Sequence, residues 1–156
     1  MIETWRRYLL YILLFGAVGL LAELYLLDHY EDWRQWIPLV LIVAGTAAGV
    51  RLAVRPSHGA VRTFRILLAA YVPAGVLGVY FHFQSNVEFE QELHPNSSGL
   101  ELVTESLGGA MPTLAPGAMI MLGLLGILVC LQHPAAGRSA ATPEDSDAAD
   151  LAVPHS

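Results

Sequence analysis

One short stretch of this sequence concentrates side chains that could bind a cation. Between residues 82 and 95 the chain reads HFQSNVEFEQELHP, in which His82, Asn86 and Glu90 follow one another at intervals of four residues. If a helix continues through this stretch, that spacing places all three side chains on one face. Imidazole nitrogens with carboxylate oxygens suit Zn²⁺ or Mn²⁺, whereas carboxylates with an amide oxygen suit Ca²⁺.

A second group of similar side chains directly follows the first apolar stretch of the chain. We expect it to lie at the same level along the helices as the first group. The candidate ligands of a divalent metal ion, taken from both groups, are His29, Glu31, Asp32, His82, Asn86, Glu88 and Glu90. Their spacing does not distinguish a metal site from a cluster that senses pH through its histidines, or from an ordinary solvated acidic rim. All three interpretations stay open.

Glu23 is the third candidate for a chemical role, because it interrupts an otherwise apolar run from residue 8 to residue 27. A charged side chain in a bilayer costs about 2.5–3.5 kcal/mol on insertion scales. We therefore expect Glu23 to face the other helices and to be either protonated or paired. It could bind a proton or a cation there, or it could simply form a hydrogen bond with a loop.

These residues lie beside or within long apolar stretches. Charged residues make up only 14% of the 156 residues and apolar residues 54%, whereas soluble proteins carry about 25% charged residues. Crossing a hydrocarbon core about 30 Å thick takes about 20 apolar residues in a helix. Four stretches qualify, at about residues 8–27, 37–54, 66–83 and 112–131. The sequence thus predicts an all-α integral membrane protein, an antiparallel four-helix bundle in one domain over residues 1–133.

The first stretch is expected to be a retained helix rather than a secretory signal. It is longer than the apolar core of a signal, about 7–15 residues, and no small-x-small cleavage site follows it.

The distribution of arginines predicts the orientation. Lysine is absent, and seven of the eight arginines precede the first span, surround the link between spans 2 and 3, or follow span 4. The positive-inside rule therefore places both termini in the cytoplasm. The other two loops carry one arginine, Arg34, against eight carboxylates: Asp28, Glu31, Asp32, Glu88, Glu90, Glu92, Glu101 and Glu105.

Two helix starts can be located from capping patterns. Asp32 and Gln35 have capping-box spacing ahead of Pro38, and Ser98 and Glu101 have the same spacing between spans 3 and 4. The second pattern predicts a short amphipathic helix on the outer surface that ends at the paired glycines 108 and 109, with an ordered loop as the alternative. Its apolar stripe would consist of Leu100, Val103 and Leu107.

The C-terminal segment, residues 134–156, is rich in small and acidic residues and contains three prolines. Such a composition buries too little apolar surface to offset the entropy of ordering. We expect a disordered acidic cytoplasmic tail.

Small residues recur at helical spacing in every predicted span, and they allow close approach of helices where lipid offers no hydrophobic drive. The same pattern can mark contacts within one chain, a homo-oligomer, or contacts with a larger membrane complex. The residues are Gly16 and Gly19, Gly45 and Gly49, Ala74 and Gly78, and Gly123 and Gly126.

Catalytic motifs are not visible. Cys130 is the only cysteine, which excludes the thiol pairs of quinone-linked disulfide formation and of mercury relay. The sequence contains no nucleophile elbow, phosphate loop, HExxH or CxxC. The protein is therefore expected to be non-enzymatic, with the lipid bilayer rather than nucleic acid as its surroundings.

Three segments resemble a group of small uncharacterised bacterial inner-membrane proteins: LLDHYEDWRQWIPLVL at 26–41, HFQSNVEFEQELHP at 82–95 and LGGAMPTLAPGAMIMLGLLG at 107–126. The shared pieces include His29 with Glu31 and Asp32, the run from His82 to Glu90, and the sequence LAPG at 114–117. The resemblance implies a prokaryotic four-helix protein of the inner membrane. It implies no mechanism.

Three functions fit these observations. The first is a non-enzymatic membrane protein whose outer cluster, with Glu23 below it, binds a divalent cation or a partner. The second is a small proton- or cation-coupled transporter that uses Glu23 as its titrating group. The third is an accessory subunit that packs its glycine faces against a larger complex.

Overall fold

The computed structural model describes residues 2–137, and within that range it is helical, without strands. The elements are α1 (Ile2–Leu26), α2 (Trp33–Val54), α3 (His58–Leu93), α4 (Gly99–Leu107), α5 (Gly117–Cys130) and a final turn of 3₁₀ helix (Pro134–Ala136). The expected disordered tail begins within this range, yet Ala135 is buried. The remainder of the tail, from residue 138, lies outside the described residues.

Three of the helices, α1, α2 and α3, are long and apolar enough to cross a membrane. The fourth apolar helix, α5, is shorter: its 14 residues span about 21 Å at 1.5 Å each, against about 30 Å for a hydrocarbon core. The predicted fourth span started at Pro112, whereas the helix starts at Gly117, after Pro116. Proline lacks the backbone N–H of a helical hydrogen bond, and the residues before α5 are instead held against α3.

Neighbouring long helices run antiparallel. Helix α1 packs on α2, α2 on α3, α3 on α5, and α5 on α1. The hydroxyl of Tyr71 on α3 lies 3.3 Å from the carbonyl oxygen of Ile42 on α2, while Phe64, further back on α3, lies beside Gly49, further on in α2. These contacts fix the antiparallel register. The largest buried side chains, among them Tyr71, Phe64, Leu13 and Ile42, lie between these helices.

This arrangement separates charge between the two ends of the molecule. Helix α1 begins, α2 ends and α3 begins at one end, which we name the arginine-rich end; its described arginines are Arg6, Arg7, Arg51, Arg55, Arg62 and Arg65. The opposite end, named the acidic end, contains the segment between α1 and α2 and the outer turns of α3. Helix α3 has 36 residues and is therefore about 54 Å long, so it continues well past the predicted span.

Most of the recurring glycines are contact points between helices of this chain. A Cβ atom added at Gly123 would lie 2.7 Å from the carbonyl oxygen of Leu68 on α3, and one at Gly75 would lie 2.9 Å from that of Pro116. At Gly45 an added Cβ would meet the hydroxyl of Tyr71. Gly19 differs, because nothing lies within 4 Å of the corresponding position.

The capping predictions have different outcomes. The capping box of Asp32 and Gln35 is present at the start of α2, as predicted. Helix α4 is also present and ends before Gly108, but Ser98 makes no side-chain hydrogen bond at its start. The apolar stripe of α4 is largely exposed, with Leu100 at 79% and Leu107 at 50%, so the rest of the described chain covers only part of it.

Candidate functional site

Two histidines meet at the acidic end. His29 lies in the turn after α1 and His82 lies on α3, and their ring centroids are 6.2 Å apart with planes inclined by 52°. The Nδ1 atom of His82 is 3.2 Å from the carbonyl oxygen of Pro112. Donation from Nδ1 to this carbonyl leaves the Nε2 lone pair of His82 available to a ligand.

The surroundings of His29 favour its neutral form. Partial burial lowers the pKa of the imidazole below its ordinary value of 6.5, and the neighbouring His82 lowers it further. Burial removes water from the charged ring, and a second imidazolium would repel it. A neutral imidazole is the form that binds a metal ion.

The predicted carboxylate ligands are engaged elsewhere or stand apart from this pair. The Asp32 carboxylate accepts a hydrogen bond of 2.8 Å from the backbone amide of Arg34, and the Glu88 carboxylate accepts one of 3.1 Å from Gln84. Glu31 and Glu90 have no side-chain hydrogen bond or ion pair within the described chain. Between residues 2 and 137 no group of three or more His, Cys, Asp or Glu side chains is arranged to hold a metal ion.

Asn86, predicted as an amide ligand, is a structural anchor. It is only 1% exposed. Its amide nitrogen lies 2.7 Å from the carbonyl oxygen of Met111, 2.9 Å from that of Ser106 and 3.0 Å from the hydroxyl of Thr113. Its amide oxygen accepts a hydrogen bond of 2.9 Å from the backbone amide of Met111. These bonds hold the chain between Ser106 and Thr113 against α3 and occupy the polar groups that a cation would need.

The cluster around Asn86 is closely packed. The Thr113 hydroxyl donates to the carbonyl oxygen of Ser106 at 3.2 Å, and a Cβ atom at Gly109 would lie 2.7 Å from Cγ of Asn86. The Ser106 hydroxyl is buried and has no hydrogen-bond partner among the described residues. The sequence did not predict a role for Ser106 or Thr113, because a lone hydroxyl residue far from Asn86 in the sequence gives no periodic signal.

Arg34 does not neutralise the acidic end. Its guanidinium lies 5.1 Å from the ring centroid of Phe81 and 5.7 Å from that of Trp33. Both distances are in the range of cation–π contacts. Within residues 2–137 the guanidinium of Arg34 thus contacts two aromatic rings and forms no ion pair with a carboxylate of this end.

Glu23 is exposed, which corrects the expectation that it faces the other helices. Its side chain has no hydrogen bond or ion pair with any described residue. It belongs to a side of α1 that points away from the core residues Leu13 and Ala17. We name this side the free face of α1; its residues, all but one apolar, are Ile12, Phe15, Gly19, Ala22, Glu23 and Leu26.

Comparison of the chain with family models, curated proteins and solved structures found no match.

Proposed function

We propose that the protein is a four-span inner-membrane protein with both termini in the cytoplasm, and that it acts as an accessory subunit that binds a transmembrane helix of another protein. In this proposal α1, α2, α3 and α5 form an antiparallel four-helix bundle in the bilayer. The separation of the arginine-rich end from the acidic end supports the orientation. The bound helix would lie on the free face of α1.

The observation that carries the proposal is that the Glu23 carboxylate, on an apolar helix surface, has no partner among the described residues. Glu23 precedes the last residue of α1 by three positions, which is about 4.5 Å along the helix axis. In the proposed placement it lies within the hydrocarbon, where an isolated carboxylate is costly. A partner that supplies a cation or hydrogen-bond donors removes that cost, whereas lipid tails cannot.

Gly19 lies one helical turn from Glu23 on the same face. A glycine on a helix face allows a second helix backbone to approach closely and to gain van der Waals contact. The corresponding glycines of α2, α3 and α5 are covered by neighbouring helices of this chain, while the space over Gly19 is open. The free face of α1 thus combines an unfilled notch with an unpaired charge.

The charge of this face favours a different protein over a second copy of the chain. A copy related by a two-fold axis through the free face would place one Glu23 carboxylate against another, and like charges at short distance repel. A partner helix with arginine, lysine or several hydroxyl or amide donors at the same depth complements Glu23. The proposal commits to such a helix.

Photo-cross-linking in native membranes tests this proposal. A photoreactive phenylalanine analogue in place of Ala22 should form an adduct with a second membrane protein, identified by mass spectrometry. The analogue in place of Val43, an exposed apolar residue of α2, is the matched control and should give no such adduct. Equal adduct yields at the two positions, or an adduct with the mass of two copies of this chain, would contradict the proposal.

The role of the carboxylate has its own control. Glu23→Gln keeps the size of the side chain but removes its charge, so the adduct from position 22 should fall several-fold. Glu92→Gln makes the same change on the part of α3 beyond the predicted span and should leave the yield unchanged. An undiminished yield in Glu23→Gln would show that the partner does not recognise the charge.

A second candidate function is the binding of a transition-metal cation at the acidic end. It is favoured by one observation, the approach of His29 to His82 with Nδ1 of His82 oriented by Pro112. Two imidazoles supply half of a tetrahedral zinc site, and water molecules would complete it. Titration calorimetry of the purified protein with Zn²⁺ tests this candidate. About one equivalent should bind, binding should be lost in His82→Ala, and His94→Ala, at the end of α3, should behave like the wild type.

The structure offers less support for a carrier that uses Glu23. The carboxylate lies on the surface of the single chain rather than between its helices. A transport route past Glu23 would therefore need a second protein to form its other wall. Proton flux in liposomes that contain this protein alone is expected to equal that of Glu23→Gln.

A further inference from the structure

A cavity at the arginine-rich end plays no part in the proposed docking of a partner helix, and it is lined by both basic and apolar side chains. It has a volume of about 180 Å³ and lies between the start of α1, the end of α2 and the residues that follow α5. Its deepest apolar walls are Leu10, Leu52 and Val129, each buried. Its polar lining includes Arg6 and Arg7.

The two arginines of this cavity form no ion pair with any residue between 2 and 137. Glu3 also lines the cavity, but no ion pair joins it to either arginine in the part of the chain that the structure describes. Arg6 donates one hydrogen bond of 2.6 Å to the carbonyl oxygen of Leu131, which fixes its position at the end of α5. Arg7 has no hydrogen-bond or charge partner among the described residues.

Two neighbouring guanidinium groups beside an apolar floor suit one class of ligand. A guanidinium presents several N–H donors in a plane and binds the oxygens of a phosphate group well. The apolar floor suits the hydrocarbon that is attached to such a phosphate in a phospholipid. Basic pockets between transmembrane helices on the cytoplasmic side commonly bind anionic lipid headgroups.

The neighbouring surface of α1 carries the aromatic rings that are typical of the headgroup region. Trp5 is 64% exposed, and Tyr8 and Tyr11 are exposed as well. Rings with an apolar body and a polar edge concentrate at the boundary between hydrocarbon and water. These residues follow the start of α1, so they place the mouth of the cavity at the height of lipid phosphates in the proposed membrane orientation.

We propose that this cavity binds the phosphate group of an anionic phospholipid, with Arg6 and Arg7 as its donors. The phosphate would lie between the two guanidinium groups, and the glycerol and first acyl carbons would contact Leu10, Leu52 and Val129. Cavities of this kind differ from a diffuse basic surface in that they retain one lipid molecule at a defined place. Arg62, at the same end but outside the cavity, would contribute only to the general attraction.

Native mass spectrometry of the full chain after removal of lipid tests the site. We expect one molecule of phosphatidylglycerol to be retained in preference to phosphatidylcholine. Loss of one arginine near an anionic headgroup should weaken retention about fivefold, so Arg7→Gln should show this decrease. Arg62→Gln removes the same charge at the same end and should retain lipid like the wild type.

A second variant tests the cavity without changing charge. Ala53 lines the cavity and is exposed, so Ala53→Phe should fill the space with little strain and should also abolish the preference for phosphatidylglycerol. Equal retention in Arg7→Gln and Arg62→Gln, or an undiminished preference in Ala53→Phe, would overturn the site. Full displacement of the lipid by millimolar inorganic phosphate would overturn the lipid as ligand and identify a site for free phosphate.

Discussion

Two glycine-bearing surfaces of this protein have opposite surroundings. At the contact of α3 with α5, an added Cβ at Gly123 would meet the backbone of Leu68, and one at Gly78 would lie 2.8 Å from the ring of Pro116. On the free face of α1, an added Cβ at Gly19 would meet nothing within 4 Å. Glycine spacing in an apolar helix therefore does not by itself say whether the partner helix belongs to the same chain.

The surroundings of each surface explain the difference. The α3–α5 contact is closed at the acidic end by the hydrogen bonds of Asn86, which tie the segment before α5 to α3. The free face of α1 has no such closure and carries Glu23 instead. Substitutions that disrupt the α3–α5 contact should lower the stability of the chain. Substitutions on the free face of α1 should weaken only the association with a partner.

The largest effect on stability is expected from Asn86→Leu. The leucine has a similar volume but no polar atoms, so the buried hydrogen bonds to Ser106 and Thr113 are lost, together with the partly buried ones to the backbone of Met111. An unsatisfied buried polar group costs about 1–3 kcal/mol, and we expect the free energy of unfolding to fall by about 3 kcal/mol. Thermal unfolding in detergent, followed by circular dichroism, measures the change.

Gln84→Leu is the matched control for this variant. Gln84 is exposed on the same helix, and among the described residues its side chain bonds to Glu88 alone, so its replacement should change the free energy of unfolding by less than about 0.5 kcal/mol. Similar losses in the two variants would mean that the Asn86 cluster does not close the α3–α5 contact.

A smaller loss is expected when the α3–α5 contact itself is overfilled. In Gly123→Leu the new Cβ starts 2.7 Å from the carbonyl oxygen of Leu68, and backbone cannot move aside as a flexible side chain does. Overpacking of this kind costs about 1–3 kcal/mol. The unfolding midpoint should therefore fall below that of the wild type, and an unchanged midpoint would show that α3 and α5 are further apart than described.

The sequence predicted the parts of the fold that local interactions determine. The start of α2 at Asp32 follows from a capping box within four residues, and the short helix before Gly108 follows from one apolar stripe. The separation of the arginines from most of the carboxylates was visible because short connections make successive helices antiparallel. Long apolar runs likewise predicted α1, α2 and α3.

The parts that the sequence did not predict depend on contacts between distant residues or on the choice of a helix side. Asn86 bonds to residues 20 to 27 positions away, so its spacing from His82 and Glu90 indicated a ligand where the structure has an anchor. Glu23 was expected inward because α1 is apolar on nearly every side. Without a polar face, periodicity cannot select the side that is buried.

The smallest effect on stability is expected from Gly19→Leu, which makes the same substitution as Gly123→Leu on the other surface. Helix propensity changes equally in both variants, so the difference between them reports packing alone. Because the space over Gly19 is open, the purified chain should be as stable as the wild type within about 0.5 kcal/mol. In native membranes the same leucine would fill the notch that the proposed partner helix enters, and co-purification of that partner should fall. A Gly19→Leu chain that is destabilised as strongly as Gly123→Leu would show that α1 packs on its own chain through this face, and the distinction between the two surfaces would then be wrong.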